Sequence, residues 1–249
     1  MSGIYENADR YDEIYASFSA DLSFYREVAA ECDGPVCDLA CGTGRVTTSL
    51  AEAFPERLIY GVDTSAVQLS RARERAPGSS NLRWIDSSMV DVSPPESCGL
   101  AICALHSLEH LTDEEELDRF FENLREGVLR PGGVFAFAIH LPDPRYLVRD
   151  PERLEEVGRY GAGESAFTLY ERRSYNASTQ ILSLTWFFEG GAEQEVESAS
   201  YELRLLYPRE IRRILREHRF ELLGHWGWYD RAPLTSDSGT QVILCRRLS

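Results

Sequence analysis

Between Val36 and Ile139, short apolar runs alternate with segments of helical spacing, and few folds accept that rhythm. The runs are Pro35–Ala40, Leu58–Val62, Leu82–Ile85, Leu100–Leu105 and Val134–Ile139. The fourth is apolar throughout, as a strand covered on both faces must be. Among the intervening segments, Val46–Ala53, Ala66–Arg75 and residues 113–127 carry helical patterns. The last is acidic at its start, which suits the positive end of a helix dipole, and apolar at Leu117, Phe120, Phe121 and Leu124. Five strands joined by helical crossovers specify a doubly wound parallel sheet of the α/β class.

The pattern changes after Pro142. Residues 143–165 are polar and rich in Arg, Glu and Gly, like a loop or a short helix. Phe167–Tyr175, Gln180–Glu189 and Val196–Tyr207 alternate in part with period two, with Asn176 and Gly190-Gly191 at the turns, and predict an antiparallel β insert. Pro208–His218 is then a helix, with Pro208 at its start and Ile211, Ile214 and Leu215 on one face. Leu222-Leu223 and Val242–Cys245 are candidates for the last two strands of the main sheet. The expected division is therefore 1–142 for an amino-terminal segment and ligand-binding core, 143–207 for the insert acting as a lid, and 208–249 for the elements that complete the core.

Charge narrows the range of partners. With 26 Lys and Arg against 41 Asp and Glu, the net charge is -15. Such a surface repels phosphate backbones and anionic membranes, and no basic run offsets it. Neither nucleic acid nor membrane is expected as a partner, and no apolar run approaches the ~20 residues needed to span a bilayer. The polar start MSGIYENADRYDE does not resemble a signal peptide. The six cysteines form no CxxC pair, so free thiols in a reducing cytoplasm are expected. The oligomeric state, homodimer included, stays open.

The first strand runs into Val36-Cys37-Asp38-Leu39-Ala40-Cys41-Gly42-Thr43-Gly44-Arg45-Val46. A turn of small residues lets a ligand approach the backbone, and the next helix offers its unpaired N–H groups. The dinucleotide fingerprint would place a third glycine at Thr47, which is not one. Asp38 puts a carboxylate where a pyrophosphate would be repelled and an ammonium held. Asp63, at the end of the second strand, can accept both hydroxyls of a ribose. A ribose at one end and an ammonium at the other describe S-adenosylmethionine.

From about Tyr11 to Pro142 the chain resembles the class I methyltransferases. Asp38-Leu39-Ala40-Cys41-Gly42-Thr43-Gly44 matches their first motif, Gly61-Val62-Asp63-Thr64-Ser65 the second, and Leu129-Arg130-Pro131-Gly132-Gly133 the turn before their fifth strand. The resemblance implies a Rossmann-like, mostly parallel, seven-stranded sheet and S-adenosylmethionine as cofactor, converted to S-adenosylhomocysteine. It implies cofactor contacts at Tyr11, Asp38, Ala40, Gly42, Gly44, Asp63, Thr64, Ser88, Met89 and Leu105. Ser88 stands where most members carry an acid that meets the adenine amino group. Its hydroxyl can accept that hydrogen bond, or Asp86 can take over. Within the class, the chain is similar to small-molecule methyltransferases of bacterial secondary metabolism, including N-methyltransferases of nucleotide-linked amino sugars. The acceptor, and whether its N or O is methylated, are not inherited from that likeness. A protein of this fold that binds the cofactor without transferring methyl is a second reading.

After the fourth strand, His106-Ser107-Leu108-Glu109-His110 spells HxxEH, with two histidines at i and i+4 able to bind zinc beside a glutamate. A zinc hydrolase built on His106, Glu109 and His110 is thus a third reading, for which no further ligand is evident; no metal is expected. On the methyltransferase reading, Leu105 and His106 cross the cofactor's methionine end. His110 reaches the acceptor as general base, suited by an imidazole pKa near 6.5, while Glu109 is a solvated charge. Tyr5, Tyr11 and Tyr15 belong to a segment that folds over the cofactor in that family, with Tyr15 orienting the acceptor or the carboxylate of the cofactor; an aromatic stripe packing on the sheet is the other explanation. Trp186, Phe187 and Phe188, and also Trp226, Trp228 and Tyr229, are equally divided between pocket lining and packing.

Overall fold

Two sheets organise the chain, described in a computed structural model over residues 5–148, 150–190 and 197–249. Helices α1 (Ala8–Tyr15) and α2 (Ala20–Ala30) precede β1 (Val36–Leu39). Then follow α3 (Arg45–Ala53), β2 (Ile59–Asp63), α4 (Ala66–Arg75), β3 (Leu82–Asp86), β4 (Cys98–Cys103), α5 (Glu114–Asn123) and β5 (Leu129–His140). A short α6 (Pro144–Leu147) leads to β6 (Glu155–Tyr160), β7 (Phe167–Asn176), β8 (Ile181–Gly190) and β9 (Glu197–Arg204). The chain closes with α7 (Pro208–Glu217), β10 (Phe220–Trp226) and β11 (Thr240–Arg247).

The main sheet has seven strands in the order β10-β11-β5-β4-β1-β2-β3. Strands β1 to β5 pair in parallel, and β11 pairs antiparallel with both β5 and β10. This is the expected doubly wound, mostly parallel arrangement, with the order reversing beside β1. Each face is closed by the helices whose apolar stripes the sequence displays. Leu117, Phe120 and Phe121 of α5 pack with Ile211, Ile214 and Leu215 of α7 on one face, and Phe24, Tyr25 and Val28 of α2 with Val46 and Leu50 of α3 on the other. Local chemistry starts the helices: Asn7, Ser65 and Asp113 each accept a backbone N–H in the first turn of α1, α4 and α5.

The second sheet is antiparallel, in the order β6-β7-β8-β9. Its fourth strand, β6, lies in the stretch expected to be loop. The polar residues there alternate without an apolar face, because one side of this edge strand meets water, and period two is then invisible to a hydropathy reading. Gly191 and Val196, expected at a turn and a strand start, lie outside the described residues. The Leu129–Gly133 turn is also corrected: these residues belong to β5, where Leu129 pairs with Cys98 and the register slips before Leu100 pairs with Val134. No helix among the described residues is long and apolar enough to cross a membrane, and all six cysteines are free.

Candidate active site

Three connected cavities open at the carboxyl ends of β1, β2, β4 and β5, where an open α/β sheet receives its ligands. The first, of about 160 Å³, is lined by Tyr11, Tyr15, Asp38, Ala40, Arg45 and Leu105, among others. The second, of about 200 Å³, lies across the glycine turn, against Gly42, Asp63, Thr64, Ser88, Met89 and His110. The third, of about 330 Å³, has His106, His110 and His140 on its floor and Glu171, Trp186 and Tyr201 of the antiparallel sheet in its roof. Tyr11 and Ala40 join the first two, Leu105 and Tyr15 join the first and third, and Tyr5 and His110 join the second and third.

Backbone conformation brings these residues together. Ala40, Leu105 and His106 take positive φ, at 54°, 47° and 64°, although L side chains disfavour that region. Such conformations persist only where the surroundings impose them, and they gather at functional sites. Here they turn the chain sharply at the ends of β1 and β4, exposing backbone to the cavities. Gly42, at φ 56°, does the same within the turn.

Asp38 is fully buried, and its Oδ2 accepts a 2.6 Å hydrogen bond from the Thr47 hydroxyl. Thr47 thus occupies the third-glycine position because its hydroxyl has a partner to serve. Asp38 Oδ1 is buried with no hydrogen-bond partner, a costly state that a cationic donor would relieve. Burial pushes this carboxyl up to about 7, against the Thr47 hydrogen bond and the Arg45 charge, which pull it down. Arg45 itself is clamped by both oxygens of buried Asp21, at 2.8 and 2.6 Å, and its guanidinium lies over the Phe18 ring.

Asp63 organises the turn it faces. Its Oδ2 accepts from the Gly42 N–H and its Oδ1 from the Ser65 N–H, both at 2.8 Å. A backbone hydrogen bond from Thr64 also favours the ionised carboxylate, which keeps acceptor capacity for a ligand hydroxyl. Ser88 accepts from the Val90 N–H and lines the cavity with Met89. Asp86 is exposed and is not among the residues lining the cavity, whereas Ser88 is.

Gly44, expected as a ligand contact, is not among the residues lining these cavities. It has φ 76°, and a Cβ there would stand 2.6 Å from Trp84 Cη2 and 3.1 Å from Ala72 Cβ. Packing and a left-handed helix start both require a glycine here.

The HxxEH segment is also corrected. Ser107–His110 is a 3-10 turn preceded by His106 in the left-handed region, so the i, i+4 face of an α-helix does not form. Glu109 is not solvated: it is fully buried, its Oε2 2.6 Å from His140 Nδ1 and its Oε1 accepting the His140 N–H at 3.1 Å. Among the described residues, the group whose ligand atoms lie within 4.8 Å of one another is His106, Glu109 and His140; His110 is outside it. His110 Nε2 is instead 2.6 Å from the Tyr5 hydroxyl. Burial, helped by His140, pushes His110 down to about 4, so it is neutral at neutral pH.

The tyrosines of the amino-terminal segment form a contiguous group, Tyr5 against Tyr11 and Tyr11 against Tyr15. Burial raises Tyr15 to about 12, leaving its hydroxyl a donor. Of the other aromatic residues in question, Trp186 lines the third cavity and donates its indole N–H to Glu171 Oε2 at 2.8 Å. Phe188 packs beneath Arg10 in the second sheet's own core. Tyr229 packs on Phe24 and Tyr25 of α2, with Trp226 against Phe24 and Trp228 beside Tyr229, away from the cavities. Sequence reasoning missed His140, Glu171, Arg173 and Arg45. His140 ends a parallel strand, the location where ligands gather, and that signal was available. Glu171 and Arg173 belong to an insert whose register no motif reveals.

Residues 36–133 match a family model described as methyltransferase domain. Over 138 residues the chain is 30% identical to the trans-aconitate 2-methyltransferase of Rhodopseudomonas palustris (strain BisB18), which covers 53% of this chain and 49% of that one. The chain thus spans about half the length of that relative. Among solved structures, it is similar to the CcbJ methyltransferase from Streptomyces caelestis, with TM-score 0.81, 22% identity and 99% of each chain covered. It is also similar to CalS10, an amino pentose methyltransferase from Micromonospora echinaspora involved in calicheamicin biosynthesis, with TM-score 0.71, 18% identity, and 99% of this chain and 98% of that chain covered. At such identities the structures share the fold.

Proposed function

We propose that this chain, which carries a methyltransferase domain over residues 36–133, transfers a methyl group from S-adenosylmethionine to a small molecule held under the antiparallel sheet. One observation carries the reading: Asp38, whose Oδ1 is buried without a partner, lines the same chain of cavities as Asp63, and the two carboxylates suit an ammonium and a ribose. When bound, S-adenosylmethionine supplies an electrophilic methyl carbon on a sulfonium and leaves as the neutral thioether.

On this reading Asp38 holds the ammonium, Asp63 and Thr64 the ribose, and Ser88 and Met89 flank the adenine. Ala40, Gly42 and Leu105 present backbone to the ligand, and Tyr11 covers it. The third cavity takes the acceptor against Tyr15 and His110. A neutral His110, hydrogen-bonded to Tyr5, orients an acceptor hydrogen bond well and stores a proton poorly. Much of the acceleration then comes from alignment, for which effective molarities of about 10⁵–10⁸ M are available. The amino pentose enzyme of like fold and the mixed polar lining of the third cavity favour a small amine or alcohol as acceptor, in secondary metabolism. An acidic surface in a reducing cytoplasm remains the proposed setting, with no nucleic acid or membrane partner.

Calorimetry with S-adenosylhomocysteine tests the reading. The parent protein should bind it, and Asp63→Ala should weaken binding by roughly 1.5–3 kcal/mol, the scale of lost charge-assisted hydrogen bonds. Unchanged affinity in a folded Asp63→Ala protein removes Asp63 from the site. Parent protein that binds no S-adenosylhomocysteine ends the methyltransferase reading. Formation of S-adenosylhomocysteine from S-adenosylmethionine across a panel of small amines and alcohols separates a transferase from a protein that only binds the cofactor.

A further inference from the structure

We propose that His140, oriented by buried Glu109, is the proton acceptor of the third cavity. The inference rests on the methyltransferase reading for its substrate and on geometry for its residues.

Glu109 is fully buried on the 3-10 turn after β4 and grips one residue twice, taking the backbone N–H of His140 on Oε1 and its ring Nδ1 on Oε2. An ionised carboxylate only accepts hydrogen bonds, so the ring must carry a proton on Nδ1. That requirement selects the tautomer, and a neutral His140 then has a bare Nε2. No hydrogen bond to Nε2 is formed among the described residues, and the side chain, 40% exposed, lines the acceptor cavity. A bare imidazole nitrogen in a cavity, backed by a desolvated carboxylate, is the arrangement of an activated base.

His106 completes the device. Its ring stacks on His140 at 3.8 Å with an 18° interplanar angle and holds the ring plane from one side. Burial and the neighbouring His140 both lower its basicity, so only one of the two stacked rings takes the charge. His140 is favoured in that choice: the Glu109 charge and hydrogen bond raise it above an ordinary histidine despite burial. The other charged or titratable groups facing it are Glu171, which raises it, and Arg173, which lowers it, both from β7, with His110 across the cavity. Gln241 of β11 meets only its carbonyl. His110, pushed down to about 4, is the weaker proton store, although both imidazoles line the cavity.

The step balances without a further reagent. The acceptor's lone pair forms the bond to the methyl carbon as the carbon–sulfur bond breaks toward sulfur. The proton on the acceptor passes to His140 Nε2, and the imidazolium beside Glu109 returns it to water through the cavity. While Nδ1 donates its proton to Glu109, that nitrogen has no lone pair to give a metal ion.

Histidine ring ¹⁵N spectra, with the His140 signal assigned from His140→Gln, test the tautomer. The expected result is a neutral ring protonated on Nδ1, with a titration midpoint that falls by about 1–2 pH units in Glu109→Gln. A parent ring protonated on Nε2, or a midpoint unmoved by Glu109→Gln, overturns the proposal. In turnover of a primary-amine acceptor, Glu109→Gln should lower kcat by ~10²–10⁴, because its amide imposes the opposite tautomer. The acid limb of its kcat/KM profile should move to lower pH, and added imidazole should partly restore His140→Ala. A loss equal at every pH, without rescue, means packing only; full activity of His140→Gln, or inactivation of the parent by EDTA, also overturns the dyad. Calorimetry with S-adenosylhomocysteine controls for folding of each variant. Its failure in the parent sinks the methyltransferase reading and leaves the ring spectra to judge the dyad.

Discussion

The glycine turn after β1 and the four-stranded roof over the third cavity contribute to one site by opposite means. The turn acts through backbone: positive φ at Ala40 and Gly42, N–H groups caught by Asp63, and a helix start at Gly44. Few residue types satisfy those conformations, so the turn has a recognisable sequence. The roof acts through side chains of ordinary strands, such as Trp186 and Tyr201, where the pleat restricts residue type far less than a left-handed turn does. The comparison teaches that a turn open to a ligand is constrained by chain geometry, whereas the roof of a cavity is constrained only by the shape it encloses.

Three changes break or sharpen this contrast. The largest effect is expected at Gly44, where Ala must accept φ 76° and meet Trp84. Gly44→Ala should cost about 2–4 kcal/mol, combining left-handed strain with overpacking; urea unfolding that shows parent stability contradicts a packing role.

Asp38 comes next, through pH. Its carboxyl, pushed up to about 7 by burial, must be ionised to hold an ammonium. Affinity for S-adenosylhomocysteine should therefore be steady above that value and fall by about tenfold for each pH unit below it. Asp38→Asn should bind weakly with no such slope. In the ligand-free protein the sign is reversed. A carboxyl raised above its unfolded value binds a proton in the folded state first, so its contribution to stability declines as pH rises from the unfolded value through about 7. Calorimetry and thermal melts from about pH 5 to about pH 8 read both slopes.

The smallest effect belongs to the roof. Trp186→Leu removes the indole N–H that serves Glu171 Oε2 and should raise the acceptor KM by about five- to tenfold, the scale of one buried hydrogen bond. The dissociation constant of S-adenosylhomocysteine should stay within about twofold. A parallel change in both constants would mean that turn and roof are coupled.

Much of this division was legible in the chain itself. The apolar run Leu100–Leu105 and the helical stripes of α5 and α7 specified the layered α/β core, because burial demands those periodicities. Asp38, Gly42 and Asp63 were legible as residues that line the cavities at the strand ends, because a turn that admits a ligand has few sequences. Gly44 was legible as a required glycine, but its partner, Trp84, comes from another strand, and no local pattern reveals it. β6 was missed because an exposed edge strand needs no apolar alternation.

His106, Glu109 and His110 illustrate the limit best. Sequence spacing joins Glu109 to its two neighbours in an HxxEH pattern. The left-handed backbone at His106 and the 3-10 turn that follows break that helical face and send Glu109 inward, to His140 at the end of another strand. Residue types and periodicities determine which elements form and which turn can meet a ligand. Which ionisable groups meet depends on strand order and on a few strained dihedrals, and a buried carboxylate takes as partner whatever that geometry brings within hydrogen-bond distance.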